Sequence, residues 1–402
     1  MGVARAPALV LPLDVEHRRR GNQACAGTGD LGRGASGGHR RSRARVGRAG
    51  DRREHLMCGF CGIVRIGGAV DGRLMQAMGD SLHHRGPDQG GVCVRTDGPL
   101  GVGLAARRLA ILDLSPAGSQ PMETPDGRLG IAYNGELYNE PEVRRELSGR
   151  GWQFRSAGDT ETVLYAYAEH GPAAFARFNG MFALALHDRV RHEIVLARDR
   201  MGIKPLYYTW DGARLAFASE LRTLLRYLDL PPTPDPEGLD LYLALGFVPS
   251  PFSLVRGVRK LPPGSYLVLD GAGHLRIHEF WRPACPAPAR LSRAEAATEV
   301  RRTVQDAVRR QMRSDVPVGL LLSGGVDSTI IAVSAAAQTD QPLETFSIRF
   351  GGQRSPIEAM YNADADFAHR VATALGANHH EVSLDERDQI PDLLRRLVVG
   401  LD

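Results

Sequence analysis

The chain changes its pattern of alternation once, near residue 290, and that change limits it to two domains of different architecture. Between residues 57 and 275, short strand-like runs are separated by glycine turns: GIVRI, GVCV, GVGLAA, LGIAY, MFALALHD, EIVLARD and LAFAS. Helical spacing is rarer there, in LMQAMGDSLHHR and TETVLYAYAEHGPAAFARF. Many short strands with few helices predict antiparallel sheets carrying helices on their faces. FWRPACPAPARLSRAEA, residues 280–296, is proline-rich and reads as a linker. Ser292 with Glu295 three residues on has capping-box spacing and opens a long helix candidate. Beyond it, VPVGLLLSGGVDSTIIAVSAAA, LETFSIRF, ADADFAHRVATALG and NHHEVSL read as strand–loop–helix, strand, helix and strand. That alternation predicts a parallel, doubly wound sheet, of a kind that normally continues further than this chain does. The expected boundaries are a leader at 1–56, a first domain at 57–275, a linker at 276–292 and the first part of a second domain at 293–402.

The net charge of +4 is misleading, because residues 1–56 hold 12 arginines against 5 acidic residues. That local excess of seven leaves the rest of the chain net acidic, so the basic balance predicts no nucleic-acid surface on the folded body. The same head has ten glycines and no aromatic residue, so it can bury little against the entropy of ordering. It reads as a disordered, removable or over-long start. No run of 18 apolar residues is present, which excludes a hydrophobic spanning helix. Five cysteines, at 25, 58, 61, 93 and 285, are too few and too scattered for a disulfide framework, and predict a reducing, cytoplasmic setting.

Cys58 follows the internal Met57 where the folded texture begins. Three readings compete for it. It can be a buried core thiol, the usual fate of a free cysteine. It can pair with Cys61 as C-x-x-C, although no second Cys/His pair at metal spacing supports zinc. Or it can be an N-terminal nucleophile whose own α-amine, with a pKa of roughly 7.7–8.0, accepts the thiol proton. The last reading explains why the cysteine must stand first once Met57 is removed.

Eight segments decide among them: MCGFCGIV, HHRGPDQGG, LAARRLAILDLS, QPM, YNGELYN, GDTETVL, FNGMFALALHD and LARDRMGIKPLYY, in that order. Together they resemble the class II glutamine amidotransferase domain over about residues 57–270. The resemblance implies an α+β N-terminal-nucleophile hydrolase sandwich of αββα layers. It makes Cys58 the nucleophile, and Asn134 and Gly135 the donors to the oxyanion. It implies that Arg108 clamps the glutamine carboxylate, a bidentate task, with Leu109, Ala110, Ile111 and Leu112 lining the same pocket. Arg107 is the neighbouring candidate for the clamp, but the motif register selects Arg108. Glu136 and Asp159 match the positions that receive the glutamine ammonium. Taken singly, Asn134-Gly135 reads as a hairpin turn and Asp159 as a helix cap. HHRGPD reads as a turn tied down by Arg85, and Cys61 and Cys93 as core. The chain has only two lysines, Lys204 and Lys260, against 48 arginines, and no role follows from that bias.

In SGGVDS, residues 323–328, the glycines let backbone N–H groups approach an anion at a helix start. Ser323 and Ser328 add hydroxyls, and Asp327 would repel phosphate unless Mg²⁺ lies between them. The loop resembles the PP-loop of ATP pyrophosphatases, and behind an amidotransferase domain it resembles the glutamine-hydrolysing asparagine synthetase family. The resemblance implies ATP binding by Leu322, Ser323, Gly324, Gly325, Asp327, Ser328 and Ile348, with Asp327 on magnesium. It implies glutamine, ATP and aspartate as small-molecule partners, no nucleic acid or membrane, and a homodimer. The family's later S-G-x-G-x-D-E motif does not occur, so glutaminase activity alone is expected of these 402 residues. The alternatives are an amidotransferase for another carboxylate, such as a sugar acid or peptide, and an inert nucleotide-binding fragment. β-Lactam synthetase shares the architecture but does not use glutamine.

Overall fold

The computed structural model describes residues 10–12, 57–96, 98–285, 290–350 and 356–384. The first domain is built on β2 (Gly59–Ile66), α1 (Gly72–Asp80), β3 (Gln89–Arg95), β4 (Leu100–Arg108), β5 (Met122–Glu123) and β6 (Leu129–Leu137). It continues through α2 (Glu140–Gly149), α3 (Asp159–His170), β7 (Gly180–Asp188), β8 (Glu193–Arg198), β9 (Tyr207–Trp210) and β10 (Arg214–Ala218). It closes with α4 (Leu221–Tyr227), α5 (Pro236–Leu245), β11 (Arg259–Lys260), β12 (Ser265–Asp270) and β13 (Leu275–Glu279). A further strand, β1 (Val10–Pro12), precedes all of these.

Two six-stranded antiparallel sheets form, in the orders β11-β9-β10-β2-β4-β3 and β13-β12-β8-β7-β6-β5. They stack face to face. Phe60, Val64, Leu104 and Ala106 from one sheet meet Ala132, Ala183, Leu196 and Leu267 from the other. The outer face of the first sheet packs Cys61 and Ile63 against Met75 and Met78 of α1 and Leu224 of α4. The outer face of the second packs Ile131 and Tyr133 against Val163, Leu164 and Tyr167 of α3. The result is the αββα order, with both sheets buried on both faces. That explains why β7 reads as an almost unbroken apolar run, buried from Phe182 to Asp188, instead of alternating with polar residues.

Strand period does the rest. Side chains two apart share a face. Phe60 faces the inter-sheet space, so Cys58, two residues before it, stands at the edge of that space. On the opposite sheet Ala132 points inward, and Asn134 and Glu136 continue its face. The nucleophile candidate and the NGE motif thus converge from two sheets on one end of the sandwich.

β13 lies in what reads from the sequence as the beginning of the linker. It pairs with β12 from Ser265↔Glu279 to Leu269↔Leu275, so the sheet runs four residues past the expected boundary at 275. The long helix α6 (Arg293–Gln311) follows, opened by the expected capping box of Ser292 and Glu295. Then come β14 (Val318–Leu321), α7 (Val326–Ala336), β15 (Glu344–Phe350), α8 (Pro356–Ala374) and β16 (Asn378–Leu384). β14, β15 and β16 pair in parallel, as the strand–helix alternation predicts.

The leader departs from expectation at one place. β1 pairs antiparallel with β14, Leu11 opposite Gly319. The free edge of a parallel sheet offers unpaired N–H and C=O groups, and the backbone of Val10–Pro12 pairs with them. The other leader residues, Cys25 among them, lie outside the described residues. Among the described residues no helix is long and apolar enough to cross a membrane.

Candidate active site

Cys58 sits immediately before β2, with its sulfur against the turn after β4. The Leu109 N–H donates to Sγ at 3.4 Å, and the thiol reaches the Leu109 carbonyl at 3.6 Å. Arg85 fixes its backbone: Nε donates to the Cys58 carbonyl at 3.1 Å, and the Arg85 carbonyl accepts from Met57 N at 2.8 Å. A Cβ on Gly59 would come within 2.9 Å of Arg85 Cδ, so the glycine after the cysteine makes room for that guanidinium. Arg85 Nη1 pairs with the buried Glu220 at 3.1 Å, and His84 and Arg222 hold the same carboxylate at 2.7 Å each. These bonds hold Glu220 down at about 2, outweighing its burial. The HHRGPD turn is therefore tied down by Arg85 as expected, and what it ties is the backbone of Cys58.

Burial pushes the Cys58 thiol up from its ordinary 9.0, outweighing the Leu109 bond and the cations Lys204 and Arg108. Burial thus favours the neutral thiol over the thiolate, the nucleophilic form of a cysteine.

Asn134 and Gly135 do not form a hairpin turn. Both lie inside β6, opposite Ala183 and Phe182 of β7. Asn134 is 1 % exposed, and its Nδ2 has no hydrogen-bond partner among the described residues. A buried donor left unpaired costs about 1–3 kcal/mol, so its retention marks a place where an acceptor arrives. A Cβ on Gly135 would lie 2.6 Å from the Met181 carbonyl and 2.7 Å from the Tyr133 ring, so only glycine fits there.

Asp159 does not cap α3 either. Gly158 occupies the cap, and the Asp159 carboxylate accepts from Tyr133 Oη at 3.0 Å and Leu137 N at 2.8 Å. Burial raises both Asp159 and Glu136, and the repulsion of Asp159 raises Glu136 further. A buried and a half-buried carboxylate, both with raised pKa values, make surroundings that favour a cation.

Arg108 is buried at the end of β4 and spends three of its five donors on protein. Nη1 donates to Gln89 Oε1 at 2.8 Å, and Nη2 to the carbonyls of Leu112 and Asp113 at 2.7 Å each. These bonds shape the Leu109–Leu112 turn, whose Ala110 N–H is held by Asp88 Oδ2 at 2.8 Å. Among the described residues Nε and the second Nη1 hydrogen have no acceptor. Arg107, the rival clamp, pairs with Asp80 instead.

Sequence reasoning missed Lys204. Its Nζ is 3.6 Å from Met57 Sδ, and the residue is only 7 % exposed. Asp199 places it, gathering the N–H groups of Phe182, Met201, Ile203 and Lys204 at 3.0–3.1 Å. Burial lowers Lys204, while Cys58 and Glu136 raise it. A lysine kept in so arginine-rich a chain was the available signal. Of the cysteines expected in the core, Cys61 is fully buried, but Cys93 is only half-buried and reaches Glu123 at 3.4 Å. Cys61 faces α1 and α4, not Cys58, which disposes of the C-x-x-C pairing.

In the second domain Gly324 has φ +76°, and a Cβ there would lie 2.2 Å from the Asp364 carbonyl. Ser323 and Ser328 share a hydroxyl contact of 3.1 Å, and Gly325 precedes the first turn of α7, where Asp327 is exposed. Ile348 is 54 % exposed beyond the end of β14, while the Leu322 side chain is 1 % exposed and belongs to the core, leaving only its backbone at the loop.

The profile of the glutamine amidotransferase domain matches residues 57–281, and that of asparagine synthase residues 299–402. The chain belongs to the glutamine-hydrolysing asparagine synthetase family. Asparagine synthetase [glutamine-hydrolyzing] 1 of Bacillus subtilis is 36% identical over 327 residues, covering 80% of this chain and 49% of that protein. Asparagine synthetase [glutamine-hydrolyzing] 3 of the same organism is 34% identical over 355 residues, covering 85% of this chain and 57% of that protein. The chain thus spans about half the length of these family members.

Proposed function

We propose that the first domain hydrolyses the side-chain amide of glutamine at Cys58. The buried Nδ2 of Asn134, without a partner among the described residues and at the end of the sandwich where Cys58 stands, carries this reading. Sγ attacks the amide carbon, and its proton passes to the Cys58 α-amine, which becomes available when residues 1–57 are removed. Asn134 Nδ2 and the Gly135 N–H receive the negative oxygen. The amine returns the proton to the leaving nitrogen, ammonia departs, and water cleaves the thioester to give glutamate. Arg108 receives the α-carboxylate on its remaining donors, with the Leu109–Leu112 turn around it. Glu136 and Asp159 receive the α-ammonium.

For the whole protein we assign the ammonia to an ATP-activated carboxylate, aspartate by family membership. The glycine loop of residues 323–328 fits the phosphates of ATP, because it stands at the N-terminus of α7 with the Ser323 and Ser328 hydroxyls beside it. The exposed carboxylate of Asp327 fits a Mg²⁺ that neutralises phosphate charge. A cytoplasmic setting and a homodimer complete the proposal. Cys58→Ala tests the nucleophile: ammonia release from glutamine at the wild-type rate would remove it.

A further inference from the structure

The glutamine-side turn is held from two directions. Arg108 holds it from within, through the carbonyls of Leu112 and Asp113. The second hold comes from the other domain. Asp315 N donates to the Ile111 carbonyl at 3.0 Å, and Asp315 Oδ2 accepts from the Asp113 N–H at 2.7 Å. Asp315 lies in the turn between α6 and β14, stapled by Ser314 Oγ to Val316 on both its N–H and its carbonyl. On the same side Arg310 reaches Glu142 at 2.7 Å, and Arg313 pairs with the buried Glu140.

Asp113 needs this support. Its φ is +58°, a left-handed conformation unfavourable for a residue with a Cβ. Such a residue persists only where its surroundings over-determine it. Here its N–H goes to Asp315, its carbonyl to Arg108, and its carboxylate to Ser115 and the Ala157 N–H. The Ala157 contact leads to Asp159, two residues on, so one node touches both ends of the proposed glutamine pocket.

We propose that Asp315 is a positioning residue for glutamine: through its carboxylate, the second domain sets the turn that presents Leu109 to the Cys58 sulfur and Arg108 to the substrate. This rests on the proposed glutaminase reading for its kinetic consequence but not for its structural one. Asp315 is exposed, so the bond is an ordinary one and its loss is worth roughly fivefold.

The test uses the whole chain, with Asp315→Ala to remove the acceptor and Asp315→Asn to keep an acceptor oxygen. Amide hydrogen exchange over residues 109–115 and glutamine kinetics are measured on the same samples. The expected result is exchange at Asp113 faster by about fivefold in Asp315→Ala, with KM for glutamine raised by a similar factor and kcat held within about twofold. Asp315→Asn restores both. Unchanged exchange in Asp315→Ala, equal impairment in Asp315→Asn, or a fall in kcat at constant KM overturns the assignment. A wild-type protein that never hydrolyses glutamine counts against the proposed function instead, and the exchange comparison still decides the role of Asp315.

Discussion

Asn134→Ala separates catalysis from stability more cleanly than any other substitution in the site. The side chain is 1 % exposed and its Nδ2 hydrogens meet no acceptor among the described residues. Deleting an unsatisfied buried donor relieves about 1–3 kcal/mol, and the small cavity left behind costs a comparable amount. The two nearly cancel, so Tm is expected to stay within about 4 °C of wild type. The transition state suffers differently. One oxyanion donor is worth about 10²–10³ in kcat, or roughly 3–4 kcal/mol. Steady-state ammonia release is therefore expected to lose about two to three orders of magnitude in kcat with KM little changed. Alkylation of Cys58 by iodoacetamide forms no oxyanion, and its rate is expected to stay at the wild-type value. A variant that keeps kcat within about tenfold while Tm falls steeply would show Asn134 to be a structural amide and would refute the reasoning.

Glu136 and Asp159 set a pH dependence. Their folded pKa values are raised by burial, Glu136 further by the charge of Asp159 and Asp159 by that of Glu140, and only the ionised forms pair with an ammonium. KM for glutamine is expected to rise as pH falls through these values, while Glu136→Gln raises KM at all pH and flattens that rise. A wild-type KM constant across the acid range would contradict the pairing. Glu220 behaves oppositely, because its pKa falls from 4.5 to about 2 on folding. Its stabilisation is fully present above about 4.5 and is lost as pH drops toward 2. Acid denaturation curves of Glu220→Gln are expected to lose that segment. The same variant should lower kcat, since Arg85 then loses the carboxylate that holds it on the Cys58 carbonyl.

Local signals along the chain were legible because they are redundant. Glycine turns mark the strands, and the Ser292–Glu295 box marks α6 before any tertiary contact is known. The site itself could be named but not drawn. Asn134-Gly135 has the letters of a hairpin turn, and only pairing with β7 makes it the middle of a strand. Asp159 has the letters of a cap, and only Tyr133 and the Leu137 N–H, brought from β6, turn its carboxylate to the pocket. The contacts of Lys204 and Asp315 were hidden for the same reason. Each acts across more than 100 residues of chain, Lys204 on Met57 and Asp315 on Asp113. β12 and β13 lie among prolines and glycines, with an outer strand that is mostly exposed, so the apolar pattern fades there.

The most direct measurement joins mass to activity. Protein expressed from the whole chain is resolved by intact mass, and each species is assayed for ammonia release from glutamine. Turnover is expected only from molecules whose first residue is Cys58. Brisk turnover by molecules that still carry Met57 would mean that the sulfur finds its base elsewhere, and the roles given to Cys58 and its amine would be wrong.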